Sequence, residues 1–186
     1  MLRRIWTISN VLSFSRVVLL APLAYCLFSG IYGHSVWPAV IIFVGGLTDF
    51  FDGYLARRLH EVTDLGKIID PLADKICAGG TAILFVTVGA LPLWYLIVVL
   101  ARDVLILIGG IYIKVKKNIV TQSNWPGKVA VFLVGVVMLL SALSLSSLEG
   151  LKQLMIWSSV FMMALSFAIY VQRLFVGSPA GKRSSR

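Results

Sequence analysis

Four aspartates lie in stretches that are otherwise apolar enough for a membrane. Asp49 and Asp52 are three residues apart, and Asp70 and Asp74 are four residues apart. Either spacing places two carboxylates on one face of a helix. An ionised carboxylate at the centre of a bilayer costs about 2.5–3.5 kcal/mol on the mildest scale, so four of them need positive compensation. The spacing therefore predicts one or two divalent cations bound by these four residues.

Oxygen-rich clusters of this kind suit Mg²⁺ or Mn²⁺. Magnesium shares its coordination with substrate phosphates, and two ions about 3.5–4 Å apart clamp the attacking and leaving oxygens of a phosphoryl displacement. The small residues Gly53, Ala56 and Gly66 leave room for a nucleotide beside the metals, and Arg57 is placed to hold a phosphate or ribose. The sequence contains no P-loop, no Rossmann glycine pattern and no evident Ser-His-Asp set.

The composition indicates a membrane protein. Of the 186 residues, 59% are hydrophobic, and the mean hydropathy is +0.92; soluble domains have about 45–50% apolar residues. We expect one all-α integral membrane domain over residues 1–176, followed by a basic flexible tail over 177–186. No cleavable signal peptide is predicted, because the first apolar stretch leads directly into further spans. Cys26 and Cys77 lie in apolar stretches and are interpreted as small buried hydrophobic residues.

The apolar stretches predict six transmembrane helices, at residues 11–28, 36–55, 67–88, 93–113, 129–148 and 154–172. Leu2, Ile5 and Trp6 have helical spacing, which favours a juxtamembrane surface helix at the N-terminus, with a frayed basic terminus as the alternative. The pairs Gly45-Gly46 and Gly79-Gly80 are expected to permit close helix approach.

The distribution of Lys and Arg predicts the orientation. With both termini on the cytoplasmic side, every Lys and Arg of the loops and termini except Lys152 faces the cytoplasm, as the positive-inside rule requires. The aspartates then lie at the cytoplasmic face of an inner or cytoplasmic membrane. The net charge of +9 is attributed to anionic lipid headgroups rather than to nucleic acid.

A family resemblance rests on one string of residues. The string is Asp49-x2-Asp52-Gly53-x2-Ala56-Arg57-x8-Gly66-x3-Asp70-x3-Asp74. It matches, at all eight fixed positions, the signature of the CDP-alcohol phosphotransferases, and the resemblance extends over nearly the whole chain outside the tail. The segments from Asn10 to Arg16 and from Asp70 to Lys75 are similar to the phosphatidylglycerophosphate synthase and cardiolipin synthase branch.

The resemblance implies roles for the motif residues. Asp49, Asp52 and Asp70 would bind one metal ion, and Asp49, Asp70 and Asp74 a second. Asp74 would also act as the general base on the acceptor hydroxyl, which attacks the lipid-bearing phosphate of CDP-diacylglycerol and displaces CMP. The cytidine and pyrophosphate positions of the family fall on Gly53, Ala56, Arg57 and Gly66. Family members are often homodimers, so a homodimer is expected.

The acceptor alcohol is left open between several compounds. Glycerol 3-phosphate would need a cationic pocket, for which the candidates are Arg16, Arg102, Lys114, Lys116 and Lys117. It is preferred over phosphatidylglycerol, the acceptor in CMP-forming cardiolipin synthesis, and over inositol phosphate or serine. The dipeptide Arg102-Asp103 is more similar to the cardiolipin branch, and its bland interpretation is an internal charge balance.

The competing hypothesis from another class is an ion-coupled transporter, since intramembrane aspartates can mark an ion pathway. The clustering of the acids at one membrane face and the lack of an inverted repeat disfavour it.

Overall fold

The structure is a computed structural model in which the backbone of residues 15–29, 32–33, 35–59, 66–117 and 124–176 is described. Side chains are described for residues 15–29, 32–33, 35–48, 75–109 and 124–172. The predicted surface helix before residue 11 and the predicted tail over 177–186 lie outside these ranges.

Six α-helices, and no strand, make up the described part of the chain. They are α1 (Leu20–Phe28), α2 (Trp37–Leu59), α3 (Gly66–Thr87), α4 (Leu93–Lys117), α5 (Trp125–Leu143) and α6 (Glu149–Val176). A helical turn that starts at Ser15 leads into α1, and a short 3-10 helix, Ser146–Leu148, precedes α6. The all-α prediction is confirmed for these residues. Helices are expected here because they satisfy their own backbone hydrogen bonds in an apolar surrounding.

Two helix boundaries differ from the prediction around the basic connection before α5. α4 continues to Lys117 instead of ending at residue 113, because lysines are good helix formers and are favoured in the last turn of a helix. α5 begins at Trp125 instead of residue 129. Asn124 caps this helix and Pro126 occupies its first turn, where proline is tolerated.

The predicted fifth span is wrong at its C-terminal end. α5 stops at Leu143, and Ser144 takes a left-handed backbone conformation with φ of 49°. The chain then turns through the 3-10 helix Ser146–Leu148. A run of serines within an apolar stretch hydrogen-bonds locally and competes with the helix, so hydropathy alone overestimates the helix length.

Among the residues whose side chains are described, two segments are long and apolar enough to cross a membrane by themselves, namely Trp125–Leu143 and Ser146–Gln172. Within the same residues, Ser15–Phe28, Trp37–Thr48 and Lys75–Thr87 are shorter apolar helical segments. Large apolar side chains cover much of the outer surface, as at Trp125, which is 75% exposed, and Phe132, which is 70% exposed. A surface of this kind is typical of contact with lipid or protein.

The helices run alternately up and down around α5. α5 packs along α6 and also contacts α2 and α3, while α4 packs on α3 and α6. α1 contacts both α2 and α3. The turns over residues 88–92 and 144–148 lie together at one end of the bundle, called the turn end below, where Lys152 Nζ donates to the Ala90 carbonyl at 3.3 Å and pairs with Glu149 at 2.7 Å. α2 ends and α3 begins at the opposite end.

Tyr32 joins the loop before α2 to the turn end. Its hydroxyl donates to the Ser141 carbonyl of α5 at 2.7 Å. Burial raises the pKa of Tyr32 above its ordinary value; a hydrogen bond with Ser144 lowers it, and the charge of Glu149 raises it. The net pKa is raised, so the hydroxyl stays protonated and able to donate at neutral pH.

The described part of the core joins α3, α4, α5 and α6. Phe85, Val137 and Ile156 are fully buried, and Tyr95 is 1% exposed. The Tyr95 hydroxyl lies 2.7 Å from Ser159 Oγ, which joins α4 to α6 inside the core.

Glycine permits α1 to pack closely against α3. A Cβ built on Gly80 of α3 would lie 2.9 Å from Leu20 Cδ1, whereas one built on Gly45 of α2 would make an ordinary contact, 3.9 Å from Leu19 Cδ1. Among the described residues, nothing lies within 4 Å of a Cβ built on Gly46 or Gly79. Of the two predicted glycine pairs, Gly80 therefore provides the close approach.

We predict that Gly80→Leu destabilises the protein by about 1–3 kcal/mol, because the new side chain overlaps Leu20 and displaces α1. Gly79→Leu is the matched control on the same helix and is expected to be nearly neutral. Thermal unfolding of both variants in detergent would measure the difference. Equal loss of stability in the two variants would contradict the described packing of α1.

Candidate active site

The four aspartate positions lie on two helices whose backbone is described. Positions 49 and 52 are in α2, and positions 70 and 74 are in the first half of α3. The α-helical rise puts the members of each pair about one turn apart on one side of their helix. This register agrees with the predicted arrangement of carboxylates in pairs.

The other motif positions are also helical. Positions 53, 56 and 57 follow in α2, and position 66 is the first residue of α3. All eight motif side chains lie outside the described set, so their metal and nucleotide contacts stay predictions. Among the side chains that are described, no three His, Cys, Asp or Glu residues come together as metal ligands. The carboxylates of α2 and α3 therefore remain the candidate donor set, and their hard oxygen atoms suit a divalent cation.

A cavity of about 540 Å³ lies between α4, α5 and α6 and is called the Arg102 cavity below. The described residues that line it are Arg102, Ile106, Asn124, Gly127, Lys128, Val131 and Tyr170. Two of these carry a positive charge and none carries a negative charge. The described lining therefore offers an anion the charge of Lys128 and the donors of Arg102, whose charge is shared with Asp103.

Arg102 makes the charge-balancing contact that was expected, and its role in binding the acceptor phosphate stays a prediction. Its Nη1 pairs with Asp103 Oδ1 at 2.7 Å, and its Nη2 donates to the Gly127 carbonyl at 3.5 Å. Its Nε is buried and has no hydrogen-bond partner in the described part of the protein. A buried donor without a partner costs about 1–3 kcal/mol. Arg102 therefore balances the charge of Asp103 and keeps donor capacity beside the cavity.

Asn124 lies in the wall of the Arg102 cavity, where α5 contacts α6. It is 5% exposed, and its Oδ1 accepts from the Gly127 backbone N–H at 3.0 Å and from Ser166 Oγ at 2.8 Å. Its Nδ2 donates to the Ser166 carbonyl at 2.9 Å. The first contact is an ordinary N-cap. The contacts with Ser166 connect residues that are far apart in the sequence.

Four residues of this region were not predicted from the sequence as site residues, namely Asn124, Lys128, Ser166 and Tyr170. An asparagine before Trp125-Pro126 is a helix-start signal and could have identified Asn124. No local pattern marks the other three, because their proximity arises from the packing of α6 against α4 and α5.

Arg16 is placed differently from Arg102. It is 4% exposed, and it does not belong to the described residues that line the Arg102 cavity. Its carbonyl accepts a hydrogen bond from Cys77 Sγ at 3.5 Å. Since Cys77 follows Asp74 by three residues, the Arg16 backbone lies about one helical turn from the Asp74 position.

The remaining predicted acceptor residues, Lys114, Lys116 and Lys117, lie in the last turns of α4. Their side chains are outside the described set, so their role stays a prediction.

Comparison with known proteins bears on the motif as a whole. A sequence model of the family described as CDP-alcohol phosphatidyltransferase matches residues 6–168. A Mycobacterium tuberculosis protein named probable phosphatidylglycerophosphate synthase is 32% identical over 146 residues, which are 77% of this chain and 69% of that protein. An Aquifex aeolicus protein named CDP-diacylglycerol–glycerol-3-phosphate 3-phosphatidyltransferase is 32% identical over 134 residues, 71% of this chain and 73% of that protein.

A Streptomyces coelicolor protein named cardiolipin synthase (CMP-forming) is 30% identical over 132 residues. The aligned part is 69% of this chain and spans 61% of the Streptomyces protein.

The family match includes the aspartate motif and most of the Arg102 cavity, and Tyr170 lies just beyond it. The match confirms the family resemblance that was predicted from the spacing of the aspartates. The family consists of membrane-integral transferases, which agrees with the apolar surface of the helices. The chain belongs to the CDP-alcohol phosphatidyltransferase family.

Proposed function

We propose that this protein transfers the phosphatidyl group of CDP-diacylglycerol to the hydroxyl of an alcohol and releases CMP, with glycerol 3-phosphate as the preferred acceptor. The observation that carries the proposal is the cationic Arg102 cavity, two of whose helices, α4 and α5, pack on α3, the helix of Asp70 and Asp74. The product would be phosphatidylglycerophosphate. The names of the Mycobacterium and Aquifex relatives support this acceptor.

The register of the helices supports a shared depth for the carboxylates and the cavity. Counted from the turn end at 1.5 Å per residue, Asp52, Asp74 and the cavity residue Lys128 all lie about 20–23 Å along their helices. A phosphorylated acceptor bound beside Lys128 would thus lie at about the depth of the carboxylates.

In this proposal the donor is bound by the motif. Asp49, Asp52 and Asp70 would hold one Mg²⁺ or Mn²⁺ ion, and Asp49, Asp70 and Asp74 a second. When bound, such ions neutralise the pyrophosphate charge and polarise the phosphorus that is attacked. Cytidine and pyrophosphate would contact the small and cationic positions of the motif, Gly53, Ala56, Arg57 and Gly66.

The chemical step needs one base. Asp74 takes the proton of the acceptor hydroxyl, whose oxygen forms a bond to the lipid-bearing phosphorus. The bond from that phosphorus to the bridging oxygen breaks, and CMP carries the electron pair away. A base must lie within hydrogen-bond reach of the proton that it removes, and the motif resemblance assigns this role to Asp74.

A second acceptor, phosphatidylglycerol, is favoured by two features of the cavity. Ile106 and Val131 give the cavity an apolar side, and Val131 is 60% exposed toward the outer surface of the bundle. A lipid acceptor could pass its acyl chains along this side. The name of the Streptomyces relative and the Arg102-Asp103 dipeptide agree with this alternative.

The proposal includes the predicted membrane topology. All six helices would cross the membrane, with both termini and the carboxylates at the cytoplasmic face. Lys152 at the turn end is paired with Glu149, so its charge is compensated on the side that the positive-inside rule leaves poor in cations. A single domain over residues 1–176 and a homodimer stay predictions from the sequence.

The first test is CMP release by the purified protein with CDP-diacylglycerol and Mg²⁺, given one acceptor at a time. We expect release with glycerol 3-phosphate. Release with phosphatidylglycerol alone would select the cardiolipin alternative. Cation transport without CMP release from any acceptor would contradict the proposal as a whole.

We predict that Asp74→Asn lowers the rate of CMP release by at least about 100-fold, because general-base catalysis contributes roughly 10²–10⁴-fold. The midpoint of thermal unfolding serves as the control for folding. A folded Asp74→Asn variant that keeps the wild-type rate would remove Asp74 from the mechanism.

We predict that Lys128→Gln raises the KM for glycerol 3-phosphate about tenfold or more, since a hydrogen bond to a charged group is worth about 1.5–3 kcal/mol. Lys152→Gln, which removes a cation at the turn end, is the matched control and should leave this KM unchanged. Steady-state CMP release at varied acceptor concentration measures both. An unchanged KM in Lys128→Gln would place the acceptor phosphate elsewhere.

A further inference from the structure

One polar contact fixes the wall of the Arg102 cavity to the neighbouring helix. Asn124 makes three hydrogen bonds, and two of them go to Ser166, one to its hydroxyl and one to its carbonyl. Ser166 itself is fully buried. The pair therefore sets both the distance and the rotation of the first turn of α5 relative to α6.

Gly127 lies between the contact of Asn124 with Ser166 and the guanidinium of Arg102. A Cβ built on Gly127 would lie 2.6 Å from Asn124 Oδ1, 3.0 Å from Ser166 Oγ and 3.2 Å from Arg102 Nη2. Three polar side chains thus converge on one glycine, and the Gly127 carbonyl is the acceptor for Arg102. Displacement of α5 at this point would move the acceptor away from the guanidinium.

The positions of the cationic groups in the Arg102 cavity depend on the first turn of α5. Lys128 follows Gly127 directly, and Tyr170 lies one helical turn after Ser166 on α6. A rotation of α5 against α6 would change the separation of Lys128, Arg102 and Tyr170. The shape of the anion site is therefore linked to the contact between Asn124 and Ser166.

We propose that Asn124 and Ser166 are positioning residues that set the affinity for the acceptor phosphate. They do so by holding Gly127 and Lys128 in register with Arg102. The inference rests on the proposed function, in which the acceptor phosphate binds in this cavity. It assigns a role in acceptor specificity to two uncharged residues that bind no substrate themselves.

Substitutions can distinguish the two roles of Asn124, which caps α5 and also contacts Ser166 of α6. Serine caps helices about as well as asparagine, so Asn124→Ser keeps a cap for α5 and removes the amide that reaches Ser166. Ser166→Ala removes only the hydroxyl contact. Ser159→Ala is the matched control, because Ser159 is also fully buried on α6 and also joins another helix, through Tyr95.

The experiment measures the KM for glycerol 3-phosphate, the KM for CDP-diacylglycerol, kcat and the midpoint of thermal unfolding for these three variants. We expect Asn124→Ser and Ser166→Ala each to raise the acceptor KM about fivefold, the effect of one lost hydrogen bond. The KM for CDP-diacylglycerol should stay within about twofold. Ser159→Ala should lower the unfolding midpoint without changing the acceptor KM.

A second readout does not depend on turnover. Inorganic phosphate should protect the Lys128 amine of the wild-type protein from acylation, as measured by mass spectrometry, and should protect it less in Asn124→Ser and Ser166→Ala. If wild-type protein releases no CMP but phosphate protection follows this pattern, the proposed reaction fails and the positioning role stands.

Three results would overturn the inference. The first is an equal acceptor KM in Ser166→Ala, Ser159→Ala and wild type, with equal phosphate protection of Lys128. The second is a parallel rise of both KM values. The third is loss of folding in both Asn124→Ser and Ser166→Ala while Ser159→Ala stays folded, since the contact would then maintain the fold and not the site.

Discussion

The structure depends on the pairing of polar side chains between helices that are otherwise apolar. In hydrocarbon, a polar group without a partner costs several kcal/mol. In the described chain, two such contacts cross from one helix to another, Tyr95 with Ser159 and Asn124 with Ser166, whereas Arg102 Nε has no partner among the described residues. Tyr32 adds a third contact, from a loop to α5. Such bonds contribute on average about 0.6 kcal/mol each, so their main effect is to select one register.

The interactions that connect α4, α5 and α6 differ from those that connect α1 to α2 and α3. α4, α5 and α6 are connected by buried hydrogen bonds, and they form the Arg102 cavity. α1 packs on α2 and α3, with Leu20 against Gly80 and with Leu23 and Leu27 buried in the apolar core. α5 contacts α2 and α3 as well, so the cationic cavity and the aspartate-bearing helices belong to one packed bundle.

The sequence was sufficient to predict the residues of the site that are close together along one helix. Residues three or four apart on a helix face are determined by the helical repeat alone, so the spacing of the aspartates predicted both their register and the family. The positions of α4 and α5 were less accurate, because capping by Asn124 and the terminal lysines override a boundary drawn from hydropathy.

The cationic cavity could be predicted only in part. Arg102 stood out because an arginine within an apolar stretch is unusual. Lys128, Ser166 and Tyr170 did not, since they come together through packing between helices that are distant in the sequence. Arg16 was predicted as an acceptor-phosphate candidate. It is buried, its carbonyl accepts a hydrogen bond from Cys77 on α3, and its role stays a prediction.

The central claim is that aspartates of two neighbouring helices hold a pair of divalent ions. Titration of the purified protein with Mn²⁺, followed by electron paramagnetic resonance, tests it directly. The account predicts two bound ions per chain with a spin-coupled signal, as expected for a separation of about 3.5–4 Å. It also predicts loss of that signal in Asp70→Asn, because Asp70 is assigned to both ions. Binding of a single isolated ion, or a coupled signal that persists in Asp70→Asn, would contradict it.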